Sequence, residues 1–419
     1  MAEQAPATSR PEPSWHGADP ANRVYLEDPY PFHRKLRERH PVSLTPDGVW
    51  RLTRYDDCLR MLRLGGAGMR KTDGTLPGQS PEQAAEERGQ FMLLTDPPKH
   101  TRLRKLVSKA FTPRAIAAWH PRIVTVTDEL LDRVEKQGEM DLIADLALPV
   151  PATLICEMLG VPVGDRDTFT QWTADATHGL ALRRGNAPAE IVARVEAARN
   201  GLAGYFNQLI SARRGEQSDD LLGALITAEE EGDRLSGEEL LVQSIGLLIA
   251  GFETTIGLIG NGLTTLIRNP DELARLRAEP ELIESAVEEC LRYSGPIPWT
   301  VRILHEPAEF GGYWLEKDEE VAVGLAAANR DPRHFEDPER FDVSRYAAKS
   351  APPAHLSFGG GAHLCLGAHL ARLESQIAIG RLVQRFTEFE LLEPKTVWGR
   401  SLFRVPARVP VRFRSPTKS

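Results

Sequence analysis

The amino-acid sequence predicts a mainly α protein with a minor β component, folded as one domain over residues 16–419. Three observations carry that reading. Helical apolar spacing recurs through most of the chain between about residues 98 and 386. One segment, Leu240 to Ile267, is too long for a strand and carries a single charged residue, Glu253. Stretches with strand character are few and short. No internal repeat or long polar linker divides the chain.

Taken in order, residues 1–15 are rich in Pro, Ala and Ser and read as a mobile N-terminus. A hairpin is expected at Val42–Leu44 and Val49–Thr53 around the turn Pro46-Asp47-Gly48. Gly65–Ser80 is glycine-rich and reads as a long surface loop. Helices are expected at Pro98–Ala110, Pro121–Gln137, Val150–Leu159, Asp165–Leu182, Glu190–Arg214, Gly237–Ile267, Pro270–Arg277, Pro280–Tyr293 and Cys365–Phe386. Short strands are expected at Thr300–Ile303, Val321–Gly324 and Arg408–Phe413.

Composition narrows the class of function. With 41% hydrophobic and 26% charged residues the chain is an ordinary globular sequence. A net charge of −8 argues against a duplex nucleic-acid partner, which needs a basic footprint. Cys58, Cys156, Cys290 and Cys365 are far apart and form no CxxC pair, which speaks against a zinc site or a disulfide framework and fits a reducing cytoplasm. The N-terminus lacks a signal-peptide pattern. Leu240–Ile267 holds five glycines, four threonines and a mid-segment Glu253, so it reads as a helix through a protein core and not as a membrane anchor.

The stretch Phe358-Gly-Gly-Gly-Ala-His-Leu-Cys-Leu-Gly367 is the most informative in the chain. Its glycines let a flat partner approach the backbone closely. Cys365 would sit at a helix N-terminus, where free N–H groups favour a thiolate. An isolated cysteine reads more simply as a small apolar core group. Here, however, Phe358, Gly359, Gly361, His363, Cys365 and Gly367 stand in an order and spacing that resemble the haem-binding loop of the cytochrome P450 family.

Four other constellations agree with that resemblance. Ala250-Gly-Phe-Glu-Thr-Thr255 resembles the family's oxygen-activation motif, with Ala250 and Gly251 beside the haem and Glu253 and Thr254 as catalytic residues. Glu289 and Arg292 are spaced for an i,i+3 ion pair and resemble the family's structural Glu-x-x-Arg pair, with Arg340 implied as its second arginine. His100 and Arg104 share one helix face and resemble the pair that binds the haem propionates, a set that Arg302 and His355 complete by position. Arg102, Lys105 and Lys109 lie on the opposite face, which serves either solubility or the docking of an acidic electron carrier.

The resemblance implies a haem-thiolate monooxygenase, with haem b held between the long central helix and the Cys-loop helix. Cys365 would be the axial iron ligand and O2 the co-substrate. Electrons would come from NAD(P)H through a reductase and a ferredoxin or flavodoxin, because no flavin or nicotinamide site is visible in the chain. By family position, Phe91, Leu94, Leu247, Leu248, Ile297, Thr300, Val301, Leu402 and Phe403 would line a pocket for an apolar fatty acid, terpenoid, steroid or polyketide. Arg404 or His178 would meet a polar end if they are not surface residues. Gly65–Ser80 and Arg183–Pro188 read as moving lids. The alternatives are a peroxygenase or oxidative coupling enzyme on the same fold, or a non-enzymatic haem sensor. An intact Glu253–Thr254 pair speaks against a peroxygenase. A sensor would need an output domain.

Overall fold

A computed structural model describes residues 10–20, 22–86, 90–178, 189–215, 220–230, 235–348, 351–399 and 403–415. Its axis is the central helix Gly237–Arg268. Ser236 caps the helix start with its side chain while Glu239 reaches back to the Ser236 N–H, so two otherwise orphaned donors are satisfied. Asn269 ends the helix, and Pro270 opens the next one. Helices Pro149–Met158, Arg166–His178, Ile283–Ser294 and Ala368–Arg385 all pack on it. By length and composition this helix passes as a bilayer span, but over half of its apolar window is packed inside the protein.

The helical body holds two apolar clusters. One joins the C-terminal half of the central helix to the Cys-loop helix through Ile259, Leu263, Ile379 and Leu382. The other joins the N-terminal half to helix Lys99–Ser108 and to helix Ala189–Arg213, through Leu240, Leu103, Leu202 and Phe206. A third cluster lies under the main sheet, around Trp50, Leu52 and Val323. That sheet runs in the order Val42–Leu44, Trp50–Leu52, Glu320–Val323, Thr300–Leu304, Ala67–Gly68. Only the Trp50–Leu52 and Glu320–Val323 pair is parallel, with Trp50 opposite Val321. A three-stranded sheet places Pro410–Arg414 between Glu139–Asp141 and Thr387–Leu391.

Several expectations shift for local reasons. The strand expected over Arg408–Phe413 is two strands, Pro406–Arg408 and Pro410–Arg414. They part at Val409, whose N–H donates to Asp141 Oδ1 at 3.0 Å and whose carbonyl accepts from Leu142 N–H at 2.9 Å. The helix expected from Asp165 runs Arg166–His178, and residues 179–182 lie outside the described residues. Residues 1–9 are also outside them, but the rest of the stretch expected to be mobile is tied down. Ser14 N–H donates to the Leu44 carbonyl at 2.9 Å, and Arg10 pairs with Glu319.

What holds the Cys loop at the right height is a buried ion pair. Glu289 and Arg292 are both fully buried. Arg292 clamps the carboxylate with two parallel bonds, Nε to Oε2 at 2.6 Å and Nη2 to Oε1 at 2.7 Å. Its remaining donors meet the carbonyls of Asn329, Pro338 and Arg340. The second arginine is Arg345, whose Nε donates to Glu289 Oε1 at 3.1 Å. This corrects the expectation for Arg340. Its side chain is exposed and lies 3.9 Å from the Glu272 carboxylate, and it joins the network by its carbonyl, which accepts from Arg292 and Arg345. Asn329 then carries the order onward: its amide donates to Ser357 Oγ and its side-chain oxygen accepts from Leu356 N–H.

Urea unfolding distinguishes the two arginines. Arg345→Ala should cost about 1–3 kcal/mol, because it strips a charged donor from a buried carboxylate. Arg340→Ala should stay within about 0.5 kcal/mol, as surface changes do. Equal losses would return the role to Arg340.

Candidate active site

The Cys loop is a tight fold of backbone on backbone. Cys365 N–H donates to the Phe358 carbonyl at 2.9 Å, and Gly359 N–H to the Leu356 carbonyl at 2.8 Å. Gly361 has φ +65°, and a Cβ there would stand 2.2 Å from the Leu62 carbonyl oxygen, so only glycine fits against helix Tyr55–Arg63. Gly367, by contrast, has an ordinary φ of −82°, with no heavy atom within 4 Å of where its Cβ would stand. The helix begins at Ala368 and not at Cys365 as expected, because the Cys365 N–H is turned back to Phe358. Protein atoms crowded around the sulfur desolvate it and push the Cys365 thiol up, although the residue keeps an exposed side. The Gly367 N–H directed at it and the Arg104 and Arg372 guanidiniums pull the other way without outweighing that effect.

Cys365 is the only one of the four cysteines that is exposed, and Leu364 beside it is uncovered too. Ala250 and Gly251 are likewise uncovered, in the middle of a helix that is otherwise mostly buried. Thr254 and Glu253 are half-buried next to them, and Thr254 Oγ1 donates to the Ala250 carbonyl at 2.8 Å. The central helix packs on helix Ala368–Arg385, which follows the Cys loop.

Basic groups gather at one edge. The His100 and His363 rings lie 4.2 Å apart. Burial, followed by the nearby charges of His363 and Arg104, brings His100 down to about 4, and its buried Nδ1 has no partner. Arg302 is buried, donating to the Val301 carbonyl at 2.7 Å and to Met69 Sδ at 3.6 Å, and burial brings it down to about 10. Arg104 donates to the Leu364 carbonyl at 2.7 Å. Asp96 is the carboxylate in this group, 3.9 Å from His363 Nε2. An exposed thiol, uncovered backbone at Ala250 and Gly251, and the guanidiniums of Arg104 and Arg302 suit a flat macrocycle with acidic side arms, and haem has that chemistry.

His355, expected in the same set, is buried beside Glu288. Its Nδ1 accepts from Ser357 N–H at 3.2 Å, and its Nε2 lies 3.2 Å from Glu288, which Arg372 clamps at 2.6 and 2.8 Å. Burial works against ionisation of Glu288, yet hydrogen bonds from Arg372 and His355 prevail and bring its carboxyl down to about 2. This trio braces the start of the Cys-loop helix, and the Arg372 guanidinium also covers the Phe358 ring at 4.5 Å.

The residues expected to line a pocket differ in their surroundings. Phe91 rests on Gly246, where a Cβ would meet its ring at 2.2 Å. Gln243 secures that segment, accepting from Met92 N–H at 3.0 Å and donating to the Gln90 carbonyl at 2.9 Å. Leu94, Ile297, Thr300, Val301 and Phe403 are half-buried, whereas Leu247 and Leu248 are buried in the helical core. Leu402 and the Arg183–Pro188 lid lie outside the described residues, as does the side chain of His178. Arg404 faces away, donating to the Leu26 and Glu27 carbonyls and stacking on Trp398 at 3.6 Å. Gly65–Ser80 is stapled: Asp96 accepts from Met69 and Arg70 N–H, and Arg70 holds the Leu94 and Gly74 carbonyls.

Comparison with known proteins places this geometry. The sequence model of the family Cytochrome P450 matches residues 74–399. Cytochrome P450 107B1 of Saccharopolyspora erythraea is 42% identical over 391 residues, covering 88% of this chain and 90% of that protein. Vitamin D(3) 25-hydroxylase of Pseudonocardia autotrophica is 39% identical, covering 91% and 94%. The crystal structure of myxobacterial CYP267B1 in complex with myristic acid superposes with a TM-score of 0.83 at 37% identity, covering 94% and 98%. The chain belongs to the cytochrome P450 family. It is therefore an oxidoreductase of that family, with monooxygenase activity on apolar substrates.

The Glu288 trio has a pH signature. A depressed carboxyl stabilises the fold fully above its ordinary value of 4.5 and loses that stabilisation as pH falls towards about 2. Acid unfolding should therefore flatten across that window in Glu288→Gln. Parallel curves for variant and wild type would refute the role.

Proposed function

We propose that this protein inserts one oxygen atom of O2 into an apolar organic molecule, by hydroxylation or epoxidation, with haem b held by Cys365. The observation that carries the reading is the pair of uncovered stretches, Leu364–Cys365 on the Cys loop and Ala250–Gly251 on the central helix. When bound, the haem supplies oxygen activation, and thiolate ligation favours cleavage of the O–O bond.

The chain's own residues do the rest. Cys365 Sγ would hold the iron, and the Gly367 N–H directed at the sulfur would moderate its charge. Gly367, with no heavy atom within 4 Å of where its Cβ would stand, would leave room for the macrocycle, and Phe358 would shield the sulfur side. His100, Arg104, Arg302, His355 and His363 would hold the haem edge and its propionates, an assignment supported by the unpartnered His100 Nδ1 and the Arg104 and Arg302 guanidiniums. Thr254 Oγ1, steadied by the Ala250 carbonyl, holds a proton at the oxygen-binding face, and Glu253 relays protons to it.

The substrate is read as a fatty acid, terpenoid, steroid or polyketide of the kind made in secondary metabolism. The mostly apolar residues of the wall favour it, as do a relative named for vitamin D(3) and a structural neighbour that binds myristic acid. Electrons would come from NAD(P)H by way of a reductase and a ferredoxin or flavodoxin in the cytoplasm. The basic face of helix Lys99–Ser108 suits the docking of an acidic carrier, although its Arg102 already pairs with Glu239.

Two measurements test this. The dithionite-reduced protein with carbon monoxide should show the strongly red-shifted Soret band of thiolate-ligated haem, and Cys365→Ser should abolish it. A band typical of histidine ligation would sink the assignment. With a turned-over substrate, Thr254→Ala should keep consuming NAD(P)H while product per NAD(P)H falls by at least about tenfold. Unchanged coupling would remove Thr254 from the proton path.

A further inference from the structure

Beside the 90–96 segment lies a recess of about 420 Å³ that no residue assigned above to haem or substrate lines. Arg70, Lys71 and Lys99 line it, with Gln90, Thr95 and Asp96. The Asp96 carboxylate is already engaged: it accepts from the backbone N–H groups of Met69 and Arg70 at 2.8 and 3.0 Å, and faces His305 at 3.7 Å and His363 at 3.9 Å. The ammonium groups are placed differently. Lys99 Nζ donates to Gln90 Oε1 at 3.1 Å, and among the described residues neither it nor Lys71 pairs with a carboxylate. Asp73 lies within electrostatic reach of Lys71, so the positive character of the recess is local to the Lys71 and Lys99 ammonium groups.

Its walls are built in advance. Arg70, itself buried, spans the recess edge by donating to the Leu94 carbonyl at 2.7 Å and the Gly74 carbonyl at 2.8 Å. Asp318 holds Thr72 by its N–H and its hydroxyl. The His305 ring sits on the Arg70 carbonyl at 2.9 Å. A ligand entering here would have little loop to order, which is where binding energy is usually lost. The volume falls in the range of small-molecule sites, roughly 300–1,000 Å³, so an inorganic ion alone would leave most of it unfilled.

We propose that this recess binds a small organic oxyanion, a phosphate ester or a polycarboxylate, bridging Lys71 and Lys99. Such a ligand would also stiffen the wall of the substrate cavity. Gln90, at the recess, is joined through its carbonyl to Gln243 of the central helix, and Gln243 also holds Met92, next to Phe91. The binding claim stands apart from the oxygenase reading and is tested without turnover.

The haem-loaded full-length protein is titrated by calorimetry with citrate and, separately, with pyrophosphate, at constant ionic strength. Saturable binding of at least one probe at one site per chain is expected. Citrate alone would mark a carboxylate ligand, pyrophosphate alone a phosphate. The double variant Lys71→Gln/Lys99→Gln should weaken that binding by at least about tenfold, as loss of charge-assisted bonds requires. Lys105→Gln, on the exposed face of the same helix as Lys99, should leave it unchanged. Should the double variant unfold, the single variants Lys71→Gln and Lys99→Gln carry the same test. Hydrogen exchange at residues 90–95 should slow when the probe binds. The proposal fails if neither probe saturates, if the lysine variants bind like wild type, or if Lys105→Gln weakens binding equally. Binding without slowed exchange would overturn its second part.

Discussion

The Glu289–Arg292 ion pair is the constraint on which the site depends. Two charges that lose all contact with water cost several kcal/mol each unless their remaining donors and acceptors are met. Here they are met by distant backbone: the carbonyls of Asn329, Pro338 and Arg340, and the Asp342 N–H. A segment with almost no regular structure, 329–345, thus acquires one conformation. Asn329 passes that conformation to Leu356 and Ser357, and Ser357 Oγ returns to the Leu291 carbonyl of the helix that carries the pair. The circuit closes next to the Cys loop, so the pair acts on chemistry without touching it.

Around that frame, charge is distributed by side. The Arg104 and Arg302 guanidiniums lie near the stacked His100 and His363 rings, and the central helix contributes backbone and a threonine. Burial and the neighbouring charges hold His100 neutral there, so the group avoids crowding four positive charges. Asp96 is the carboxylate among them. The thiol follows the same logic, since burial alone disfavours its ionised form and a bound cation reverses the balance.

Legibility in the sequence followed the range of the interactions. The Cys loop is a local motif, so its residues could be read from their order alone. The central helix was equally plain, as nearly thirty residues carry one charge. Arg345 was missed in favour of Arg340 because both lie near Asp337-Pro-Glu-Arg-Phe341, and only the packed chain decides which guanidinium turns inward. His355 also lies against Glu288 on another helix, a neighbour that its place before Phe358 in the chain does not reveal. Helix Tyr30–Arg39 gave little signal, since two of its three buried residues are His33 and Arg37. Helix Tyr55–Arg63 was not among the expected helices, although Tyr55, Cys58, Met61 and Leu62 stand at helical spacing on one face. Glycine content suggested a lid over 65–80, but the staples from Asp96 and Arg70 are long-range and invisible to composition.

Gly246 sets a limit on how the cavity can diversify. The Phe91 ring fills the space a methyl group would take, so the size of the residue at 246 and the position of an aromatic ring over the cavity are one variable. Any side chain there would push the ring outward against the Gln243 tether, or inward, narrowing the room for substrate. A lineage built on this chain would therefore tune the breadth of its chemistry from the helix behind the wall, leaving the residues that face the substrate unaltered.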